Sequence, residues 1–514
     1  ETIQNSKLFF YDLNLKANYE LSDKDRLYVS GYFGRDVLGL SELFGINWGN
    51  ATATLRWNHL VNEKMFVNTS LVYSDFNYGV DINFAENASF GLDQSINDVY
   101  IKSDWTNFIN QKSKLNFGGQ VIYHRFNPGL FAPNNEESAL IFQETQLEKR
   151  KALESGWYID HEYKHSTRLN FRYGLRLSTF SNIGGSEYTY TKSQETFEPI
   201  DVLTDTALYG KNEFYNTYWG LEPRASVSYN LNTTTAIKGS YNRTFQYVQQ
   251  ATNTASAFPT DQWFSVNENV KPQRADQVAV GLFKNFNIGL EASAEVYYKW
   301  MDNQIDYRDN AALAFNEQLD GELLTGDGWA YGAEFYVAKT EGTSSGFVSY
   351  TWAKTMRQID GISGNNPYVA GFDRRHNLSV VFTQKFSKRL LATAAFVFAS
   401  GQPLTTPVSK YFYNGEWQSN YNDQERNNFR LPAYHRADIG VTLKSKEKPD
   451  KRFKSNWNFS VYNLYNRENP YAIYFREIGD SDLEKFPNAK VGDTAAFQTT
   501  LFKIIPAITW NFEF

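Results

Sequence analysis

The sequence predicts an all-β protein, a transmembrane antiparallel β-barrel whose tilted strands cross a bilayer. Three observations carry that expectation. Polarity alternates with a period of two along segments of about 11 to 15 residues. Tight turns alternate with long polar connections from one end of the chain to the other. Aromatic residues reach 17% in a chain whose mean hydropathy is negative.

The alternation comes first. Leu169, Phe171, Tyr173, Leu175 and Leu177 share one face, and Arg168, Arg172 and Arg176 share the other. From Leu290 to Met301 the apolar face is Leu290, Ala292, Ala294, Val296, Tyr298 and Trp300, set against Glu291, Ser293, Glu295, Tyr297 and Lys299. The run Ile504 to Phe514 divides into Pro506, Ile508, Trp510, Phe512 and Phe514 on one side and Ala507, Thr509, Asn511 and Glu513 on the other. Sandwich strands are shorter, typically about 5 or 6 residues. A membrane strand needs about 9 to 11, and only every second residue meets lipid, which dilutes hydropathy. A charged face beside a lipid face requires a wet lumen and a sheet with no edge in the hydrocarbon.

The connections fit the same plan. Tight turns are expected near Leu21–Asp25, Val61–Lys64, Asn110–Lys114, His165–Thr167, Asn230–Thr233, Lys284–Ile288, Thr340–Ser344, Phe386–Arg389 and Ser445–Arg452. Long loops are expected near Asp36–Gly49, Asn77–Asp98, Asn127–Gln143, Phe180–Asn216, Gln246–Pro272, Asn303–Trp329, Arg357–Phe372, Pro403–Leu431 and Gly479–Thr499. Outer-membrane barrels put the turns in the periplasm and the loops outside. This divides the chain into about 19 strands, the eighteenth running from Phe453 to Glu477 and the last from Phe497 to Phe514. A barrel with an even count then needs further strands before Glu1, and three would make about 22.

Composition excludes other classes. No run of 18 uncharged apolar residues indicates a transmembrane helix. No signal peptide is visible, and ETIQNSKLFF reads as a chain entered partway. With no cysteine there is no disulfide scaffold or thiolate metal site. A net charge of -6 argues against nucleic acid.

Several stretches resemble TonB-dependent outer-membrane receptors of the Bacteroidetes type. They include YDLNLKANYELSDKDRLYVSGYFGRD (Tyr11–Asp36), YWGLEPRASVSYNL (Tyr218–Leu231), KPQRADQVAVG (Lys271–Gly281), EVYYKWMDNQIDY (Glu295–Tyr307), GFDRRHNLSV (Gly371–Val380), VYNLYNRENPY (Val461–Tyr471) and the terminal ITWNFEF. The resemblance covers essentially the whole chain. It implies that residues 1–514 are the C-terminal portion of a receptor barrel of about 22 strands. It also implies a plug domain and a TonB-contacting box, neither of which is in this sequence. Bacterial outer-membrane localisation follows, with outer-membrane lipid, the TonB complex, the barrel-assembly machinery and a surface lipoprotein as expected partners. Trp510, Phe512 and Phe514 would form the assembly signal.

Candidate site residues fall into two groups. Arg168, Arg172, Arg176, Glu222, Arg224, Glu291 and Glu295 should point into the lumen, holding a plug or simply pairing along a solvated wall. Trp48, Trp263, Trp417 and Phe412 belong to predicted loops, as substrate contacts or as local packing. Asp373-Arg374-Arg375-His376 reads as a rim anchor rather than a catalytic pair. His161 and His165 share a strand face at roughly 13 Å, too far apart for one zinc ion. Gly479 to Glu484 carries oxygen ligands but no full calcium-loop pattern, so calcium is a weak signal and no other cofactor is indicated. No spacing suggests an enzyme. The expected function is TonB-energised uptake of a scarce or bulky solute; the alternative is a structural or docking barrel in an outer-membrane complex.

Overall fold

The computed structural model describes residues 7–40, 44–85, 88–141, 143–192, 201–251, 262–286, 288–309, 311, 316, 318–413, 416–421, 425–446 and 454–513. A sheet of 21 strands contains two that are only two residues long, Thr145–Gln146 and Tyr368–Val369, and 19 that form the wall.

The wall strands follow chain order. They begin with β1 (Lys7–Ser22), β2 (Asp25–Leu40), β3 (Phe44–Asn62), β4 (Met65–Ala85), β5 (Ala88–Asn110) and β6 (Ser113–Pro133). Next come β7 (Arg150–Lys164), β8 (Leu169–Lys192), β9 (Asp201–Asn232), β10 (Thr235–Gln246), β11 (Gln273–Phe286) and β12 (Leu290–Tyr307). The remainder are β13 (Leu323–Lys339), β14 (Ser344–Ile359), β15 (His376–Lys385), β16 (Leu390–Ala399), β17 (Tyr434–Lys444), β18 (Lys454–Tyr462) and β19 (Ile505–Glu513). Each is antiparallel to the next. Among the described residues no pairing joins β19 to β1.

Register shows why the sheet has two unlike faces. Residues opposite each other in an antiparallel pair project to the same side. One row across β11 to β16 reads Leu282, Ala294, Phe335, Tyr350, Leu378 and Phe398. Shifted by one residue, the row across β11 to β15 reads Gly281, Glu295, Glu334, Thr351 and Asn377. The outward row elsewhere is equally apolar: Val29, Leu55, Leu71, Ile101 and Val121 across β2 to β6. Leu71 is 51% and Ile101 52% exposed, a face that lipid alone would cover.

The turn end is built by one repeated device. A side chain at the end of the incoming strand accepts the N–H two residues on, which pre-forms the bend. Asn62 does this for Lys64 at 2.9 Å, Asn110 for Lys112 at 2.8 Å and Asn232 for Thr234 at 2.9 Å. Ser22, Ser166 and Ser387 do the same at 3.2 Å. The turns at these six positions fall where the alternation breaks in the sequence; most of the expected turn at Ser445–Arg452 lies outside the described residues.

The loop end departs from expectation. Predicted loops Asp36–Gly49 and Asn77–Asp98 are mostly strand, since β2 to β5 continue well past the bilayer. The strand β9 has 32 residues, about three times what a bilayer crossing requires. The segment expected to be one strand from Phe453 to Glu477 stops at Tyr462. Asn463 follows with φ +53° and is buried, its amide bonded to both the carbonyl and the N–H of Arg467. The chain then forms a separate hairpin, Ala472–Glu477 with Thr494–Thr499, before β19. Pro506 lies opposite Val461 with no register shift. The pairing with β18 therefore passes Pro506 without a bulge.

The packed core lies at this end, where the loops fold against the wall. Phe180 stacks on Tyr247 at 5.4 Å within a buried cluster that includes Phe126, Ala152 and Val266. Two others centre on Val80, Phe131 and Leu147 and on Val270, Ile305 and Leu319.

Because Ile101 is in the lipid-facing row, Ile101→Arg should cost ~2–4 kcal/mol in urea unfolding from lipid vesicles. The inward neighbour Lys102→Ala should change the midpoint little.

Candidate functional site

The inner wall of β5 to β9 is a ladder of ion pairs. Arg172 Nε donates to Asp160 at 2.9 Å, and Lys114 lies 2.8 Å from Glu162. Tyr158 donates its hydroxyl to Asp104 at 2.7 Å, and Lys102 lies 3.0 Å from the same carboxylate. Arg176 sits between Glu154, at 3.9 Å, and Glu222, at 3.7 Å; Arg224 reaches Glu222 at 3.7 Å. Glycines make room for these flat side chains: Tyr158 covers Gly118 and Arg176 covers Gly156. A Cβ on Gly118 would lie 2.3 Å from the Ser103 carbonyl oxygen.

The arginine series predicted to share the lumen face is therefore split. Arg172 and Arg176 are on the inner wall with carboxylate partners. Arg168 is instead in the exposed turn, its carbonyl accepting the Asn230 N–H at 2.7 Å. The turn is one residue longer than the sequence suggested, which removes Arg168 from the strand. Glu222 is 4% exposed between its two arginines. Glu295 is opposite Gly281 and Glu334, leaning over the glycine, and Glu291 is exposed near the turn end.

Above the wall, loops are fastened by buried charges that sequence spacing does not reveal. Arg150 approaches Asp320 at 3.7 Å, and that carboxylate also accepts Tyr190 at 2.8 Å and Asn267 at 3.0 Å. Burial works against the Arg150 charge, but the acids around it, Asp320 foremost, leave its pKa raised. Further round, Arg426 donates to Asp306 and Asp309, each at 2.9 Å, and Tyr368 donates to Asp306 at 2.9 Å. Asp373 is 2% exposed. It accepts the Thr355 N–H at 2.6 Å and bonds Arg430, with Arg375 3.6 Å away. The DRRH run is thus an anchor for the rim. Residues such as Asp306 and Arg426 are 120 apart in the chain, so only the fold unites them.

A loop cavity of about 770 Å³ lies between two hairpins. One is Pro407–Tyr413 with Glu416–Tyr421; the other is Ala472–Glu477 with Thr494–Thr499. Phe475, Ile478 and Phe486 supply apolar wall, and Lys410, Lys485 and Asp493 supply charge. Lys410 spans the gap, donating to the Gly492 carbonyl at 2.7 Å. Phe412 and Trp417 are register partners across the first hairpin. Trp48 is on β3 rather than in a loop, opposite Asp36 and Tyr78, and is 38% exposed. Trp263 is half-buried and lines a small cavity with Phe76, Ile96, Phe126 and Pro128.

Asp482 caps its own turn, accepting the Gly479 N–H at 3.1 Å. Among the described residues no group of three or more His, Cys, Asp or Glu side chains is placed to hold a metal ion. His161 is occupied by Ser113 and Tyr173, at 2.6 and 2.8 Å. On β19, Trp510 stacks on Trp457 at 5.9 Å and meets Phe512 at 4.8 Å, forming an outward aromatic patch at the turn end. Phe514 lies outside the described residues.

A wall with one charged and one apolar face, turns at one end and packed loops at the other defines an outer-membrane β-barrel. The family described as "TonB dependent receptor-like, beta-barrel" matches residues 4–466, and the chain belongs to it. None of the curated proteins matches the chain by sequence. Solved structures do. The ferric-catecholate import receptor Fiu from E. coli K12 is similar with a TM-score of 0.64 and 12% identity, over 99% of this chain and 75% of that one. The copper transporter OprC gives 0.64 and 11%, over 99% and 71%. BauA, the ferric preacinetobactin receptor of Acinetobacter baumannii, gives 0.63 and 11%, over 99% and 73%. The chain is accordingly an outer-membrane β-barrel with its long loops outside.

Arg176→Ala should leave Glu154 only His124 and Glu222 only Arg224 as partners and cost roughly 1–3 kcal/mol, read as a lower thermal midpoint of the folded band. Arg168→Ala, in the exposed turn, should stay within ~0.5 kcal/mol.

Proposed function

We propose that the protein carries out TonB-energised uptake of a scarce or bulky solute, working with a plug domain inside the barrel. The observation that carries this reading is the inner wall. Its cations and carboxylates are paired along β5 to β9, which suits a hydrated surface against which another protein domain can pack and slide. A selective pore would show one dominant sign of charge. The cavity between the two loop hairpins is within the usual size for a small-molecule site and supports capture on the outer side. The solved relatives named above include importers of ferric chelates and a copper transporter. An iron chelate, cobalamin, a glycan or a peptide are all bulky solutes of the kind this reading covers.

In this reading residues 1–514 are the C-terminal barrel portion, and Arg172, Arg176, Glu222, Arg224 and Glu295 meet the plug. Phe412 and Trp417 serve the outer site. The chain-long motifs, GFDRRHNLSV among them, support placing it with the Bacteroidetes-type receptors. Surface lipoproteins are then candidate partners at the loops, while TonB acts from the periplasm. The outward aromatics Trp510 and Phe512 serve recognition by the barrel-assembly machinery.

Cells lacking the receptor and cells lacking TonB should lose uptake of the same labelled solute, each to background. Uptake that persists without TonB would contradict energised transport. Co-purification with partner subunits at fixed stoichiometry, whatever the solute, would favour a docking role instead.

A further inference from the structure

On the outer wall, Arg125 of β6 and Lys151 of β7 are directly opposite each other. Their outward direction follows from their neighbours. His124 and Phe126 are both buried on the inner side, as is Ala152, and the half-buried Arg150 is ion-paired there with Asp320. Strand alternation sends the residues between them the other way. One step nearer the turn end, on the same outer face, is the row Tyr73, Val99, Tyr123 and Leu153. Tyr73 is 45% and Val99 43% exposed, so this row is the upper border of the apolar band. The Arg125 guanidinium lies 5.3 Å from the Tyr123 ring centre, resting on that border.

Two cations directly opposite on a strand pair repel each other. The inner wall avoids such pairs: Arg172, Arg176 and Arg243 each have a carboxylate. Among the described residues neither Arg125 nor Lys151 has an ion pair. The acid in their own row, Asp75, is two strands from Arg125 and is engaged by the amides of Asn77 and Asn97. A doubled positive charge bordering hydrocarbon, left without an internal anion, calls for an external one.

We propose that Arg125 and Lys151 bind the phosphorylated sugar headgroup of the outer leaflet's glycolipid, lipid A. The patch is at the loop end of the band, which faces the outer leaflet. Arginine offers a planar fork to a phosphate monoester, and lysine adds a point charge about 5 Å away across the strand pair. Tyr123 and Leu153 lie beneath the headgroup position, where acyl chains begin. The site is separate from the lumen and does not depend on what the receptor imports.

The test is native mass spectrometry of protein purified from outer membranes. The protein is incubated with lipid A, with enzymatically dephosphorylated lipid A, or with phosphatidylglycerol. Wild type should retain lipid A about tenfold better than R125Q/K151Q, with each single variant intermediate. It should retain neither of the other two lipids better than the double variant does. Heat-modifiable gel migration confirms that every variant is folded, and Arg125→Lys should recover part of the retention. Equal retention of lipid A by wild type and double variant would overturn the proposal. So would charge-dependent retention of phosphatidylglycerol equal to that of lipid A, which would mark a general anionic fringe.

Discussion

The bilayer's refusal to solvate peptide groups governs this structure. In hydrocarbon every N–H and C=O must find a protein partner, and a sheet achieves this only by continuous pairing from strand to strand. The uninterrupted antiparallel order from β1 to β19 is that requirement met in chain sequence. The period-two pattern follows from it, because a paired strand must show one face to lipid and the other to the lumen. The tight turns follow as well, since neighbours in the chain become neighbours in the wall.

The same constraint explains what the sequence shows and what it hides. Where lipid lies on one side, alternation is strict and legible: Leu290 to Trp300 reads as a strand and is one. The turns are legible because Asn62, Asn110 and Asn232 each announce a bend by a local side-chain bond. Beyond the bilayer neither face need be apolar, and the signal fades. Asn77, Gly79 and Asp81 continue β4 with no polarity rule to betray it, so the segment reads as loop. The break at Asn463 escapes notice for a similar reason, since it depends on one left-handed residue and its bonds to Arg467.

The candidate site is legible in part. The lumen-facing arginines and glutamates are visible from their parity, although Arg168 shows how one extra turn residue removes a side chain from a face. Long-range fastenings are not visible. Nothing in the spacing of Arg150 and Asp320, or of Arg426 and Asp306, brings them together; only the order of the strands does. Trp263 reads as a free loop aromatic because the residues that share its small cavity, Ile96 and Phe126, belong to strands far earlier in the chain. Buried charges at the rim fix the loops, and the loops in turn shape the cavity between the two hairpins.

One residue of shift separates lipid from water along each wall strand. The chain contains no cysteine, so single cysteines can be introduced and spin-labelled without background. Labels at successive positions from Leu290 to Tyr298, in protein reconstituted in lipid, would report collision with oxygen and with a water-soluble nickel chelate. Oxygen accessibility should peak at Leu290, Ala292, Ala294, Val296 and Tyr298, and chelate accessibility at Glu291, Ser293, Glu295 and Tyr297. Accessibility that varied with a period near 3.6, or that favoured the chelate at every position, would contradict the membrane-spanning wall.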